Sequence, residues 1–442
     1  YRNTILLIFS LLFYAWGEPV YVILMILIII SVYLCGLLLN KCDINKDKKG
    51  KKQVLFLAIT FVLIFLLFFK YGNFIIDNLN ILFNSHFNNI DFALPIGISF
   101  FSFQAISYLI DLYRNKVKVQ KNLFDLALYV TLFPQLIAGP IVRYDTVEKE
   151  LTNRKETIED VISGFKRFII GLSKKVLIAN QMALLADTIF NHPSLQGVGT
   201  SLAWIGAIAY TFQIYFDFSG YSDMAIGLGK IFGFNFLENF NFPYIAKSIT
   251  DFWHRWHISL SSWFKDYVYI PLGGNRVKKN RWIFNIILVW FLTGLWHGAS
   301  WNFILWGLYF GFLLLIEKLF ISKLKIPNFL RWLCTFILII ISWVIFRTET
   351  LFDLGLYLQK MFTFSHTNYV NIVFQYPKLL SMFIYFIPAI ICSFPILKKW
   401  YSNNKNKTSI TILSNIALII LFIFCISFLT SSSYNPFIYF RF

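Results

Sequence analysis

The chain has 442 residues, 57% of them hydrophobic and only 14% charged, with a mean hydropathy of +0.63. Soluble domains carry about a quarter charged residues, so this composition excludes a water-soluble globular protein and points to a multi-pass helical membrane protein. The net charge is +18, from 40 Lys and Arg against 22 Asp and Glu, but the basic residues cluster in loops between apolar runs. That distribution holds loops in the cytoplasm and attracts anionic lipid head groups; no nucleic-acid partner is expected.

The chain opens on Tyr1 rather than Met, and a short N-terminal piece is expected to be missing. Residues 5–16 read as the remainder of a first crossing rather than a cleaved signal peptide, since no small-residue cleavage site follows and further spans do. Apolar runs then come at about 20–39, 53–70, 92–112, 122–138, 200–216, 283–296, 301–317, 328–346, 376–396 and 409–430. Allowing about 20 residues per crossing, they predict an all-α polytopic bundle of about 11–12 membrane helices with short re-entrant or interfacial helices, in one domain over 1–442. Residues 160–190 keep a helical period with interspersed Lys and read as one long, partly interfacial helix. With basic loop 41–52 inside, 53–70 crosses outward and 71–91 is an external loop with at most one Lys or Arg. Span 92–112 then returns and places basic loop 114–121 inside as well. Asp111 and Arg114, one turn apart, are expected to pair locally.

Between Asp217 and Asn275 no clean crossing-length apolar run appears. Asp217, Asp223, Asp251 and Asp266 would each be costly in hydrocarbon, and Gly and Pro interrupt the helices. Polar, non-helical backbone at membrane depth survives only inside protein or along a wet cavity. Short, tilted or re-entrant helices around a central chamber are expected here, with 215–311 as the catalytic core. Cys35, Cys334, Cys392 and Cys425 lie in apolar runs and Cys42 in a basic loop, without CxxC spacing, so neither zinc nor disulfides are predicted.

Three stretches carry candidate chemistry. In DFWHRWHISLSSWFKDYVYIPLGGNR (251–276), His254 and His257 are three apart and on a helix would share a face. Without a third ligand or HExxH, a metal site is not expected. Read by period alone, Trp253, Trp256 and Trp263 form an interfacial aromatic belt with Arg255 and Lys265 snorkelling, which leaves the acids and histidines unexplained. In TGLWHGASWNFILWGLYFG (293–311), His297 ends one apolar run beside Gly294 and Gly298, and Asn302 follows before the next. His297 reads equally as a proton acceptor for a hydroxyl nucleophile or as a histidine bonded to a neighbouring helix. Its glycines would let substrate or backbone approach closely. In YFDFSGYSDMAIGLGKIFG (215–233), Asp217, Ser219, Tyr221, Ser222 and Asp223 are placed to line a polar cavity, while Gly227 and Gly229 read as close helix packing rather than a phosphate loop. A Ser219–His297–Asp217 triad lacks a nucleophile elbow. His86, His192 and His366 read as solvated loop histidines.

The last two of these motifs and LPIGISFFSFQAISYLIDLYR (94–114), PQLIAGPIVRY (134–144) and the WHRWHISLSSW stretch together resemble the membrane-bound O-acyltransferase (MBOAT) family, nearest its bacterial alginate O-acetyltransferase-like branch, over residues 90–315 and in the same order. The resemblance implies a ring-like bundle with a tunnel, a deep catalytic histidine at His297, and a second family position at His257; His254 is given no role. Asp217, Trp253, Trp256 and Asn302 are the expected tunnel or substrate-binding residues. It also implies transfer of an acetyl group from cytoplasmic acetyl-CoA or another acyl thioester, with no bound cofactor or metal. The acetyl group would pass through an SGNH-type extracytoplasmic partner to a polysaccharide such as alginate-like exopolysaccharide or peptidoglycan, in a bacterial cell membrane. The alternatives are D-alanyl transfer to teichoic acid on the same fold, and a lipid-linked glycan or solute transporter.

Overall fold

The computed structural model describes residues 1–137, 139–191, 198–364 and 379–431. Among them every regular element is a helix. Six are long and apolar enough to cross a membrane: Tyr21–Ile44, Lys48–Phe83, Ile158–Phe190, Trp301–Lys323, Asn328–Arg347 and Thr408–Ser431. A seventh arises if the pair Phe383–Ser393 and Ile396–Asn404, bent by 55°, is one span. The protein is thus an all-α, multi-pass membrane protein. His192 and His366, and the start of the 376–396 run, lie outside the described residues.

The helices fall into two compact units, and two long helices contribute residues to both. The first unit holds residues 1–165, 225–237 and 265–268. It contains α1 (Arg2–Gly17), α2 (Tyr21–Ile44), α3 (Lys48–Phe83), α4 (Ile98–Tyr113), α5 (Leu123–Thr131), α6 (Phe133–Leu136) and α7 (Tyr144–Asn153). α4 is buried along nearly its whole length and packs on both α2 and α3. It starts at Gly97, whose φ of +75° and whose distance of 2.8 Å from a would-be Cβ to the Leu136 carbonyl oxygen require glycine. The loop expected at 71–91 is shorter than that: α3 continues to Phe83, where Asn84 ends it in the left-handed conformation. The Asp111–Arg114 pair is also corrected. Asp111 accepts from the Tyr267 hydroxyl at 2.6 Å, and Arg114 donates to the Asp266 carbonyl at 3.2 Å. The cation beside the Asp111 carboxylate is Lys116, whose Nζ stands 3.7 Å away.

The second unit holds residues 166–224, 238–264 and 269–442. α8 (Ile158–Ser173) passes through a π-helical turn, Lys174–Ala179, into α9 (Asn180–Phe190). α10 (Thr200–Ile231) follows and runs unbroken through Asp217 and Asp223, where the sequence suggested broken helices. Partner charges explain the difference. Asp217 is paired with Lys175, and Asp223 meets Lys174 and Arg167, each at 2.7 Å. Glycine brings the two helices close enough for this, since a Cβ on Gly171 would lie 2.5 Å from the Gly220 carbonyl oxygen. The breaks come later, in α11 (Ile249–Trp253) and α12 (Ile258–Phe264).

α13 (Lys279–His297) and α14 (Trp301–Leu319) form a tight helical hairpin, followed by α15 (Asn328–Arg347) and α16 (Leu351–Phe362). Of the two glycines that the sequence offered to substrate or backbone, Gly294 serves backbone, whereas a Cβ on Gly298 would lie 2.2 Å from the Phe303 ring. A Cβ on Gly294 would lie 2.4 Å from the Phe303 carbonyl oxygen, and one on Gly307 would lie 2.3 Å from that of Trp290. Gly307→Ala is therefore expected to destabilise the protein by about 1–3 kcal/mol through forced backbone separation. Gly355→Ala, where a Cβ meets nothing within 4 Å in α16, should be neutral or stabilising by up to about 1 kcal/mol. Thermal melts of the two variants in detergent test the contrast, and equal melts would refute close packing at Gly307.

Candidate active site

The second unit's core is aromatic, and both candidate histidines are built into it. His297 is the last residue of α13, buried, with the chain turning at Gly298 toward α14. Three rings stand edge-on to its imidazole: Trp306 at 4.8 Å, Trp296 at 4.9 Å and Phe346 at 5.3 Å between centroids. They come from α14, α13 and α15, so the ring position is set by three helices.

His257 occupies the break between α11 and α12 and is fully buried. Its φ of +43° is left-handed, a conformation costing a non-glycine residue about 1–2 kcal/mol, so its surroundings must hold it. Asn239 does so. Its side-chain oxygen lies 3.3 Å from His257 Nδ1 and accepts from the Ser259 N–H at 3.0 Å and the Ser259 hydroxyl at 2.9 Å. The ring packs on Phe218 at 4.6 Å and Trp296 at 5.8 Å, so Trp296 touches both histidines. Outside the six candidate spans, burial among these rings pushes the His257 pKa down to about 3, and the ring stays neutral.

The expectation that His254 and His257 share a helix face is corrected. α11 ends at Trp253, leaving His254 exposed while His257 turns inward. No cluster of three His, Cys, Asp or Glu side chains suited to a metal occurs among the described residues. The interfacial-belt reading of the tryptophans is corrected too. Trp253 packs on Trp290 at 4.6 Å and Phe310 at 4.9 Å, Trp256 on Trp343 at 4.7 Å, and all three of Trp253, Trp256 and Trp263 are buried. A large apolar ring gains more from burial in this core than from an interface.

Asn302, at the start of α14, donates to the Thr348 carbonyl at 2.6 Å, the Thr348 hydroxyl at 3.0 Å and the Thr350 carbonyl at 3.2 Å. It ties α14 to the α15–α16 connection beneath Phe346. Asp217, on α10, is paired with Lys175 of the π-helical turn and lies one residue before the Phe218 that packs on His257. The structure therefore gathers His257, His297, Trp253, Trp256 and Asn302 into one aromatic core, and leaves Asp217 in an ionic ladder beside it.

Sequence reasoning missed three contributors. Asn239 lies in an irregular segment where no period marks it. Lys175 looked like one of several interspersed lysines. Glu317, late in α14, accepts from the N–H groups of Ile249 at 2.6 Å and Thr250 at 3.3 Å and so anchors the first turn of α11. A carboxylate near the end of an apolar span was the available signal for the last of these.

The MBOAT family model, described as the membrane-bound O-acyltransferase family, matches residues 8–352. The chain belongs to the MBOAT family. It is 39% identical over 464 residues to a probable alginate O-acetylase of Pseudomonas putida, covering 100% of this chain and 95% of that one. It is 45% identical over 370 residues to a probable alginate O-acetylase of Pseudomonas syringae pv. tomato, covering 82% and 70% of the two chains. A peptidoglycan O-acetyltransferase of Helicobacter pylori is 38% identical over 378 residues, covering 78% of this chain and 71% of its own. This MBOAT protein is a membrane-bound O-acyltransferase, and the match spans residues from both compact units.

Proposed function

We propose that this MBOAT protein carries an acetyl group from cytoplasmic acetyl-CoA through a tunnel in the bilayer for O-acetylation of an extracytoplasmic polysaccharide, handing it to an SGNH-type partner that completes the ester. Residues 1–442 would act as one catalytic domain with its core at 215–311. The names of the relatives support acetyl as the cargo and a glycan such as alginate-like exopolysaccharide or peptidoglycan as the acceptor. The observation that carries the catalytic assignment is the burial of His297 at a helix C-terminus among three edge-on rings.

In the proposed step an acceptor hydroxyl oxygen attacks the thioester carbonyl carbon while His297 takes the hydroxyl proton. The new C–O bond forms, the C–S bond breaks, and the imidazolium returns its proton to the departing thiolate, so the products are an acetyl ester and a free thiol. His257 serves as a second, neutral hydrogen-bonding group, and Trp253 and Trp256 wall the passage. Asp217 and Asn302 would fix the polar groups near the acyl chain. A basic cytoplasmic face suits the phosphates of the donor.

The test uses purified protein in liposomes with radiolabelled acetyl-CoA on the side of the basic loops and alginate or peptidoglycan fragments on the other. Label should reach glycan, or a co-purified partner, with wild type and not with His297→Ala. Equal label from both removes His297 from the mechanism; none from folded wild type with its partner present removes acetyl-CoA as donor.

A further inference from the structure

We propose that Asn239 is the positioning residue of His257: its side-chain oxygen fixes the imidazole as the Nδ1–H tautomer and leaves Nε2 as the ring's acceptor. This rests on the reading that His257 serves acyl transfer. The tautomer follows from hydrogen-bond bookkeeping. The backbone N–H of Ser259 can only donate, so the Asn239 atom it meets at 3.0 Å is the amide oxygen, not the NH2 group. The Ser259 hydroxyl spends its one hydrogen on that same oxygen at 2.9 Å. His257 Nδ1, 3.3 Å from the oxygen and 3.4 Å from the Ser259 hydroxyl, therefore faces two acceptors and must carry the hydrogen.

A neutral imidazole carries one such hydrogen, so Nε2 is left with its lone pair. Nε2 is buried and has no hydrogen-bond partner among the described residues. The Asn239 carbonyl also accepts from the Ile258 N–H at 3.0 Å, so one asparagine grips residues 257, 258 and 259 and holds the left-handed turn at His257. The rings on the imidazole, Phe218 of α10 and Trp296 of α13, do not titrate. The neighbouring titratable groups are Asp217, paired with Lys175; Glu238, paired with Arg167; and His297, which packs on the same Trp296. None of them competes with Asn239 for Nδ1.

The test begins with the whole chain in detergent, labelled with 15N-histidine, the His257 signals being assigned by their loss in His257→Gln. A neutral His257 with hydrogen on Nδ1 is expected in wild type, giving way to Nε2–H in Asn239→Ala. In the liposome assay Asn239→Ala should lower kcat roughly tenfold to hundredfold while KM for acetyl-CoA stays within about twofold. Asn239→Asp keeps the acceptor oxygen, so it should restore the Nδ1–H tautomer. Its carboxylate favours the charged ring and should move the acid limb of the pH–rate profile to higher pH. If Asn239→Ala does not fold, the Asp variant carries both readouts. An Nε2–H ring in wild type, or a tautomer unchanged in Asn239→Ala, overturns the proposal. Wild-type transfer by His257→Ala would instead remove His257 from the reaction and leave the tautomer result to decide Asn239 alone.

Discussion

Asp217→Leu is expected to destabilise the protein by about 3–5 kcal/mol, because it strands the buried Lys175 ammonium without its carboxylate. Both side chains are almost wholly buried, at 2% and 9% exposed. In a low-dielectric interior the desolvation of two charges is offset only while they face each other, and removing one leaves the cost of the other. The double variant Asp217→Leu/Lys175→Met should recover most of the loss, since a well-packed apolar pair replaces both charges at once. The exposed pair Arg2–Glu156, at 73% and 28% side-chain exposure, sets the contrast: Arg2→Gln, which leaves Glu156 paired with the buried Arg154, should cost less than about 1 kcal/mol. Melting midpoints of the three variants beside wild type, followed by size-exclusion fluorescence, decide the matter. A single Asp217 variant as stable as wild type would show that α10 does not depend on this pair.

Replacing His297 is expected to have the largest effect on activity. His297→Gln keeps much of the side-chain volume among Trp296, Trp306 and Phe346 but cannot take up a proton, so acetyl transfer should fall by about 10²–10⁴-fold with the fold intact. His297→Ala should lose as much activity and some stability, because it leaves a gap between three rings. His257→Gln should lower transfer by less than His297→Gln if His257 only orients a reacting group, and by as much if it carries a proton. Melting curves taken beside the transfer assay separate a chemical loss from unfolding. Full activity in folded His297→Gln would end the general-base assignment.

Much of this protein is written in local pattern. Apolar runs of crossing length fix where helices such as α2, α14 and α15 lie, because a backbone in hydrocarbon has no partner except itself. The motif around His297 marked the end of α13 and the start of α14. The region after Asp217 was misread in detail for a physical reason. A one-dimensional hydropathy reading charges the full cost of Asp217 and Asp223, whereas the fold supplies Lys175, Lys174 and Arg167 from a helix about 50 residues earlier in sequence. In the same way, a helical period placed His254 and His257 on one face because period assumes an unbroken helix. Asn239, eighteen residues away from His257, holds the break that separates them.

By itself, then, the sequence determined that the chain is a bundle of apolar helices in a membrane, and which short polar stretches interrupt them, since burial energy and backbone satisfaction depend on composition and spacing alone. Only the tertiary structure decided which charges neutralise one another, that the tryptophans of 253–263 turn inward, and that Trp296 stands against both histidines. Those outcomes depend on partners far apart in the chain, and hydrogen bonds and ion pairs exist only once distance and direction are both set.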